Sequence, residues 1–298
     1  MNLEEYDQEA LSDGKHKATQ KSTWVSVAVN TLLSAFQILA GGLSGSQGLI
    51  ADGIHSLSDL VADFVVLIAV GHSKKEADDL HHYGHQRYET VASMILGALL
   101  LAVGIGMIWA AVNKLQYPQT IPVVQSIALY VAISALVIKE LLFRYMLAVA
   151  MRVKSSLLVA NAWHARSDAA SSLVVAIGIS GNLLGYTLLD PIAAIIVGGM
   201  VTKMGWSFFM NALHDLTDRA ASEEQVNEIV KEIHSIPGIL GTHDVKSRKT
   251  GDMILLDIHL EIDGNKSVRE GHEIAVEARR RVIAKFPVLN LMTHIDPV

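Results

Sequence analysis

Ile50-Ala51-Asp52-Gly53-Ile54-His55-Ser56-Leu57-Ser58-Asp59-Leu60-Val61-Ala62-Asp63 is the stretch whose reading decides this chain. It lies in an apolar run long enough to cross a bilayer, yet it carries Asp52, His55, Asp59 and Asp63. At 3.6 residues per turn these side chains fall on or near one stripe, with His55 and Asp59 one turn apart. A carboxylate in hydrocarbon is costly, so ionisable residues at that depth face a bundle interior and mark a pathway. A second apolar run, Trp163-His164-Ala165-Arg166-Ser167-Asp168, repeats the spacing with His164 and Asp168. Two helices that each offer one imidazole and one carboxylate close a site of two nitrogens and two oxygens, a donor set that suits Zn2+ or a similar divalent ion. The competing reading, polar side chains bonding neighbouring helices, serves for a lone His or Asn; two matched pairs on separate spans exceed it. Asp52 and Asp63 are expected to orient these ligands or line the cavity, since metal-bound imidazoles need partners. Asn30 and Asn161 serve likewise or bond between helices.

Composition agrees with a membrane protein. The chain has 298 residues, 51% hydrophobic and only 18% charged, where soluble domains run nearer a quarter. The net charge of −6 carries no basic stripe of the kind nucleic-acid binding requires. Cysteine is absent, which excludes a disulfide framework and any thiolate metal site. A metal must then be held by His, Asp or Glu. The polar, acidic N-terminus is not a cleavable signal peptide.

Six apolar segments are expected at roughly 22–43, 49–71, 89–113, 123–147, 157–182 and 190–211, each near the ~20 residues that span a ~30 Å core. Asp190-Pro191 reads as N-cap and first-turn proline of the sixth. Lysine and arginine gather before the first span, in the second and fourth connections and after the sixth; the other connections contain only Lys114. The positive-inside rule places both termini in the cytoplasm, the protein being multi-pass in the cell's inner (plasma) membrane. The expected organisation is a cytoplasmic tail (1–21), a six-helix transport domain (22–211) and a cytoplasmic α+β domain (212–298) with the order αββαβ. In that last domain Ser222-Glu223-Glu224-Gln225 and Ser267-Val268-Arg269-Glu270 are capping boxes. Thr250-Gly251-Asp252 turns a hairpin, and 253–262 alternates strictly between apolar and polar residues.

Two further clusters follow from histidine placement. Asp78, His81 and His85 stand at i, i+3 and i+7 in a polar connection, near one face if that segment is helical. His243, His259, His272, His294 and Asp296 are spread over the C-terminal domain, with His259 on the polar face of its strand.

The segments GLIADGIHSLSD, NAWHARSDAASS and HHYGHQRYE, and the tail GTHDV…LDIHLEIDG…EGHEIA…MTHIDP, together resemble the cation diffusion facilitator family, and the bacterial zinc and iron efflux transporters within it. The resemblance covers nearly the whole chain past its first residues. It implies a homodimer in the lipid bilayer, a ferredoxin-like or metallochaperone-like cytoplasmic domain, and exchange of metal for protons. It carries the transport site onto His55, Asp59, His164 and Asp168 and a loop site onto Asp78, His81 and His85. It carries a binuclear site at the dimer interface onto His243, His259, His272, His294 and Asp296. It also implies a charge contact between Arg87 and Asp218. Some bacterial relatives carry Asp where this chain has His55; two His and two Asp is the pattern associated with zinc. Zn2+ is then both cargo and structural or regulatory ion, with no cofactor and no nucleic-acid partner.

The expected function is Zn2+/H+ antiport out of the cytoplasm by alternating access, with Fe2+, Cd2+, Co2+ or Mn2+ as other cargoes. An intramembrane metalloenzyme would need an open coordination position and a neighbouring base. No Glu adjoins either pair and no HExxH occurs, so no enzyme is expected. A passive channel or a membrane metal sensor is the remaining alternative, and proton counterflow separates them.

Overall fold

A computed structural model of the chain describes residues 3–298 except 74, 76, 118, 120, 122, 154, 155 and 252; side chains are described from Lys21 onward, apart from a few that include those of Asp63 and Asn161. Six long helices come first: α1 (Leu3–Ser44), α2 (Gln47–Ser73), α3 (Arg87–Leu115), α4 (Ser126–Val153), α5 (Ser156–Leu183) and α6 (Leu189–Leu216). They are followed by α7 (Glu223–His234), β1 (Gly241–Thr250), β2 (Met253–Ile262), α8 (Val268–Lys285) and β3 (Val288–Pro297). The residues expected to form a tail thus continue as helix into the first apolar segment, with no break before Ser44.

Among the described residues four helices are long and apolar enough to cross a membrane: Lys21–Ser44, Arg87–Leu115, Ser126–Arg152 and Leu189–Leu216. α2 carries three aspartates, and α5 carries His164, Arg166 and Asp168. α1 presents Leu32, Phe36, Leu39 and Leu43 outward at helical spacing, an apolar stripe suited to lipid.

The chain divides into two compact units, residues 1–64 with 98–206, and 65–97 with 207–298. In the first, Leu49, Val131, Val175, Ile179 and Val197 form a core of small and branched side chains. Glycines allow close helix approach: a Cβ on Gly53 of α2 would stand 2.7 Å from Ile38 Cγ1 and 3.0 Å from the Ile38 nitrogen on α1. One end of this unit is tied by polar bonds. The Asp190 carboxylate accepts from Ser46 Oγ at 2.5 Å and from the backbone N–H groups of Gln47 at 2.8 Å and Gly48 at 3.3 Å. Asp190 was expected to cap its own helix; its carboxylate instead satisfies free N–H groups at the start of α2, where the helix dipole favours a negative charge. Asn182 accepts from the Val124 N–H at 2.8 Å, and the Gln125 N–H donates to the Ser44 carbonyl at 3.2 Å.

In the second unit β1, β2 and β3 form one sheet in that order, β1–β2 antiparallel and β2–β3 parallel. Ile254, Leu256, Ile258, Leu260 and Ile262 are buried against Ile229 and Ile233 of α7 and Ala275, Ala278 and Val282 of α8. Both capping boxes close, at Ser222–Gln225 and Ser267–Glu270. Gly251 turns the hairpin at φ 59°, a left-handed conformation that glycine adopts without penalty.

Candidate metal centres

His55 and Asp59 on α2 meet Asp168 on α5. His55 Nδ1 lies 3.5 Å from Asp59 Oδ2, and His55 Nε2 lies 3.9 Å from Asp168 Oδ1. One ligand atom from each of the three lies within 4.8 Å of the others. The imidazole is buried, at 4% exposure, and its Nδ1 makes no hydrogen bond among the described residues. Two ligands about 2.1 Å from one tetrahedral ion stand roughly 3.4 Å apart, so these spacings suit a shared cation better than direct hydrogen bonds. The donor set, one imidazole and two carboxylates, fits a divalent metal.

His164, the fourth residue expected here, is exposed and lies outside this trio. It shares a face of α5 with Asp168 one turn away, as the i, i+4 spacing dictates. Nearby, the Arg166 guanidinium stacks over Phe143 at 5.0 Å and over Trp163 at 5.1 Å. Asn30 donates to Ser26 of its own helix rather than to a neighbour. The Asp63 and Asn161 side chains lie outside the described residues.

Asp52 does not face the trio as a ligand. Its carboxylate, 1% exposed, accepts from Lys139 Nζ at 3.3 Å, Ser171 Oγ at 2.8 Å, Ser172 Oγ at 2.5 Å and Gln37 Nε2. Lys139 on α4 is itself 2% exposed and also donates to the Asp168 carbonyl at 3.4 Å. Lys139 is not among the residues expected at the site. The available signal was a lysine well inside an apolar segment, which at membrane depth demands an anionic partner.

The loop cluster is brought together by turns. Asp78 Oδ1 accepts from the N–H groups of Leu80 at 3.1 Å and His81 at 2.9 Å, closing an Asx-type turn, and Oδ2 accepts from Lys75 Nζ at 2.6 Å. Gly84 at φ 79° then swings the chain back, so that His81 Nδ1 and His85 Nε2 each stand 3.5 Å from the Asp78 carboxylate. The expected helical face is therefore replaced by a turn that gathers the same three residues. The Lys75 ammonium, followed by the His81 N–H, holds the Asp78 carboxyl well below the usual carboxylate range. Beyond the loop, Arg87 Nη2 donates to Asp218 Oδ1, and Arg248 Nη1 stands 3.7 Å from Asp218 Oδ2.

In the C-terminal sheet, register builds the cluster. His259 on the central strand pairs with His243 on β1 and with His294 on β3, placing three imidazoles in one row across the strands. Asp296, two residues beyond His294, shares its face by the period of two. His259 Nδ1 bonds Asp296 Oδ2 at 2.8 Å, His243 Nε2 reaches the same oxygen at 3.1 Å, and His294 Nε2 lies 3.4 Å from Oδ1. The hydrogen bond from His259, with the neighbouring imidazoles, holds the Asp296 carboxyl below its ordinary value. His243, His259 and Asp296 present ligand atoms within 4.8 Å of one another. His272 is exposed on α8 and stands outside that group.

Residues 23–217 match the model of the cation efflux transmembrane domain, and residues 221–298 match that of the cation efflux protein cytoplasmic domain. This chain belongs to the cation diffusion facilitator family. As a cation diffusion facilitator it is a membrane protein of a transporter family, with divalent cation efflux as the general activity. An uncharacterized transporter of Methanocaldococcus jannaschii is 34% identical over 95% of this chain and 99% of its own length. The manganese efflux system protein MneS of Bacillus subtilis is 30% identical over 99% of both chains. Metal tolerance protein C1 of Arabidopsis thaliana is 34% identical over 89% of this chain, which spans 59% of that relative. Among solved structures, the C-terminal domain of MamM is 25% identical, covering 26% of this chain and 96% of that one, with a TM-score of 0.25.

Proposed function

We propose that this facilitator exchanges Zn2+ for protons across the inner membrane, with His55, Asp59 and Asp168 receiving the ion and His164 completing its coordination. The observation that carries the reading is the buried His55 imidazole set between two carboxylates from different helices. Ligation needs neutral imidazole and ionised carboxylate, so metal and protons compete for the same residues and binding of one expels the other. Coupling follows if the site faces the cytoplasm in one state and the outside in another. Six spans over residues 22–211, both termini cytoplasmic, carry this site. The domain over 212–298 holds the homodimer together and binds regulatory metal at His243, His259, His294 and Asp296, with His272 added from α8. Asp78, His81 and His85 take a further ion in the loop. Tail metal shifts the transport equilibrium to the extent that it binds one state better than the other.

Mn2+ is a second reading of the cargo. It is supported by the oxygen-rich trio and by relatives named for manganese efflux. The test is purified protein in proteoliposomes containing a metal dye and a pH dye, given Zn2+ or Mn2+. Metal entry with opposite proton movement in the wild type, lost in an Asp59→Ala variant that still dimerises, is the expected result. Normal exchange by Asp59→Ala overturns the site, and metal entry without proton movement overturns exchange in favour of a channel.

A further inference from the structure

Beside the trio lies a polar group that the exchange does not use. Asp52 sits one turn before His55 on α2, and its carboxylate receives four donors from three other helices: Gln37 of α1, Lys139 of α4, and Ser171 and Ser172 of α5. Two carboxylate oxygens offer about four lone-pair sites, so this carboxylate is saturated. The Lys139 ammonium also donates to the carbonyl of Asp168, whose carboxylate belongs to the trio. Ser171 bridges the same two residues, its hydroxyl standing 2.8 Å from Asp52 Oδ1 and 2.8 Å from the Asp168 carbonyl.

We infer that Lys139 is a positioning residue that withholds Asp52 from the transported metal and so sets how tightly the site holds its cargo. Asp52 is a third carboxylate within one helical turn of the site, in surroundings where charge is weakly screened. Left without a cation it would draw in the ion, adding an oxygen ligand and a negative charge. A transporter must release what it binds, and a site of three carboxylates releases a divalent ion slowly. Lys139 supplies the permanent countercharge that restricts the site to two. Its second bond, to the Asp168 backbone, fixes α5 against α4 at the height of the site.

This inference rests on the trio being the transport site, so Asp59→Ala accompanies the test. Concentration dependence of Zn2+ and Mn2+ entry is measured in proteoliposomes for the wild type, Lys139→Met and the doubly neutral Lys139→Met/Asp52→Asn. In Lys139→Met the KM is expected to fall about 10-fold and the maximal rate by a similar factor, the pattern of a ground state bound too tightly. The double variant, lacking the carboxylate that needs neutralising, returns both values to within about 3-fold of wild type. A merely structural role would lower the rate without lowering KM. An unchanged KM in Lys139→Met, or a double variant no better than the single, overturns the inference. Should Lys139→Met fail to assemble, the double variant decides: assembly with near-wild-type kinetics supports the role and failure to assemble overturns it. Transport surviving in Asp59→Ala removes the site itself, whereas its loss there without rescue in the double variant removes only the role of Lys139.

Discussion

Replacing Gly53 by alanine tests whether the α1–α2 crossing sets the metal geometry. The new Cβ would stand 2.7 Å from Ile38 Cγ1, 3.0 Å from the Ile38 nitrogen and 3.1 Å from Gln37 Cβ. A rotamer change can move Ile38 Cγ1, but the nitrogen belongs to the backbone of α1. Ordinary contact begins near 3.4 Å, so α2 must recede by the difference, about 0.4 Å. His55 lies two residues on and moves with it, whereas Asp168 is held by α5. Functional constellations tolerate displacements of about 0.5 Å, so most of the margin is consumed. Overpacking of this kind costs about 1–3 kcal/mol, and transport is expected to fall roughly 3–10-fold in protein that remains folded. Gly42→Ala is the control, because nothing stands within 4 Å of its Cβ. Melting temperature in detergent and initial transport rate are measured for both variants. Gly53→Ala matching Gly42→Ala in both would refute the argument that this crossing fixes the site.

His259→Ala removes the middle of the imidazole row, and zinc titration of the full chain should show the tail affinity reduced by more than about 10-fold, with intramembrane binding retained; undiminished tail binding would show that the row does not hold metal. Asp296 has its folded pKa depressed by His259 and the adjacent imidazoles. Its stabilising contribution is therefore present above the ordinary carboxylate value of about 3.9 and is lost as pH falls through the lower folded value. Asp296→Asn should flatten the acid limb of a pH-dependent unfolding curve in that range, and an unchanged acid limb would count against a stabilising role for these contacts.

The long apolar segments were legible from their length and composition, and the alternating strand of 253–262 because a period of two reports which face is buried. The capping boxes were legible for a local reason: Ser and Gln or Glu three residues apart satisfy backbone groups within their own turn. The pairing of α2 with α5 was inferred from two matched spacings, and His55, Asp59 and Asp168 do converge. What escaped was tertiary. Asp190 looked like a cap for the helix it starts, and only the packing shows that its carboxylate serves α2. Lys139 lies 87 residues from Asp52, a pairing to which no local pattern points. His164 and His272 have the right identity but stand outside the groups whose ligand atoms converge, since side-chain position depends on packing that spacing does not encode.

The bonds gathered at one end of the helical unit have a kinetic meaning. Asp190 grips the first turn of α2, Asn182 grips the entry to α4, and the Ser44 carbonyl holds Gln125. These fasten the C-terminal ends of α1 and α5 and the N-terminal ends of α2, α4 and α6 into one latched rim. A passage opening through that rim has to break several hydrogen bonds together, most of them donated by main-chain N–H groups to side-chain oxygens. It should therefore open rarely and in one concerted step.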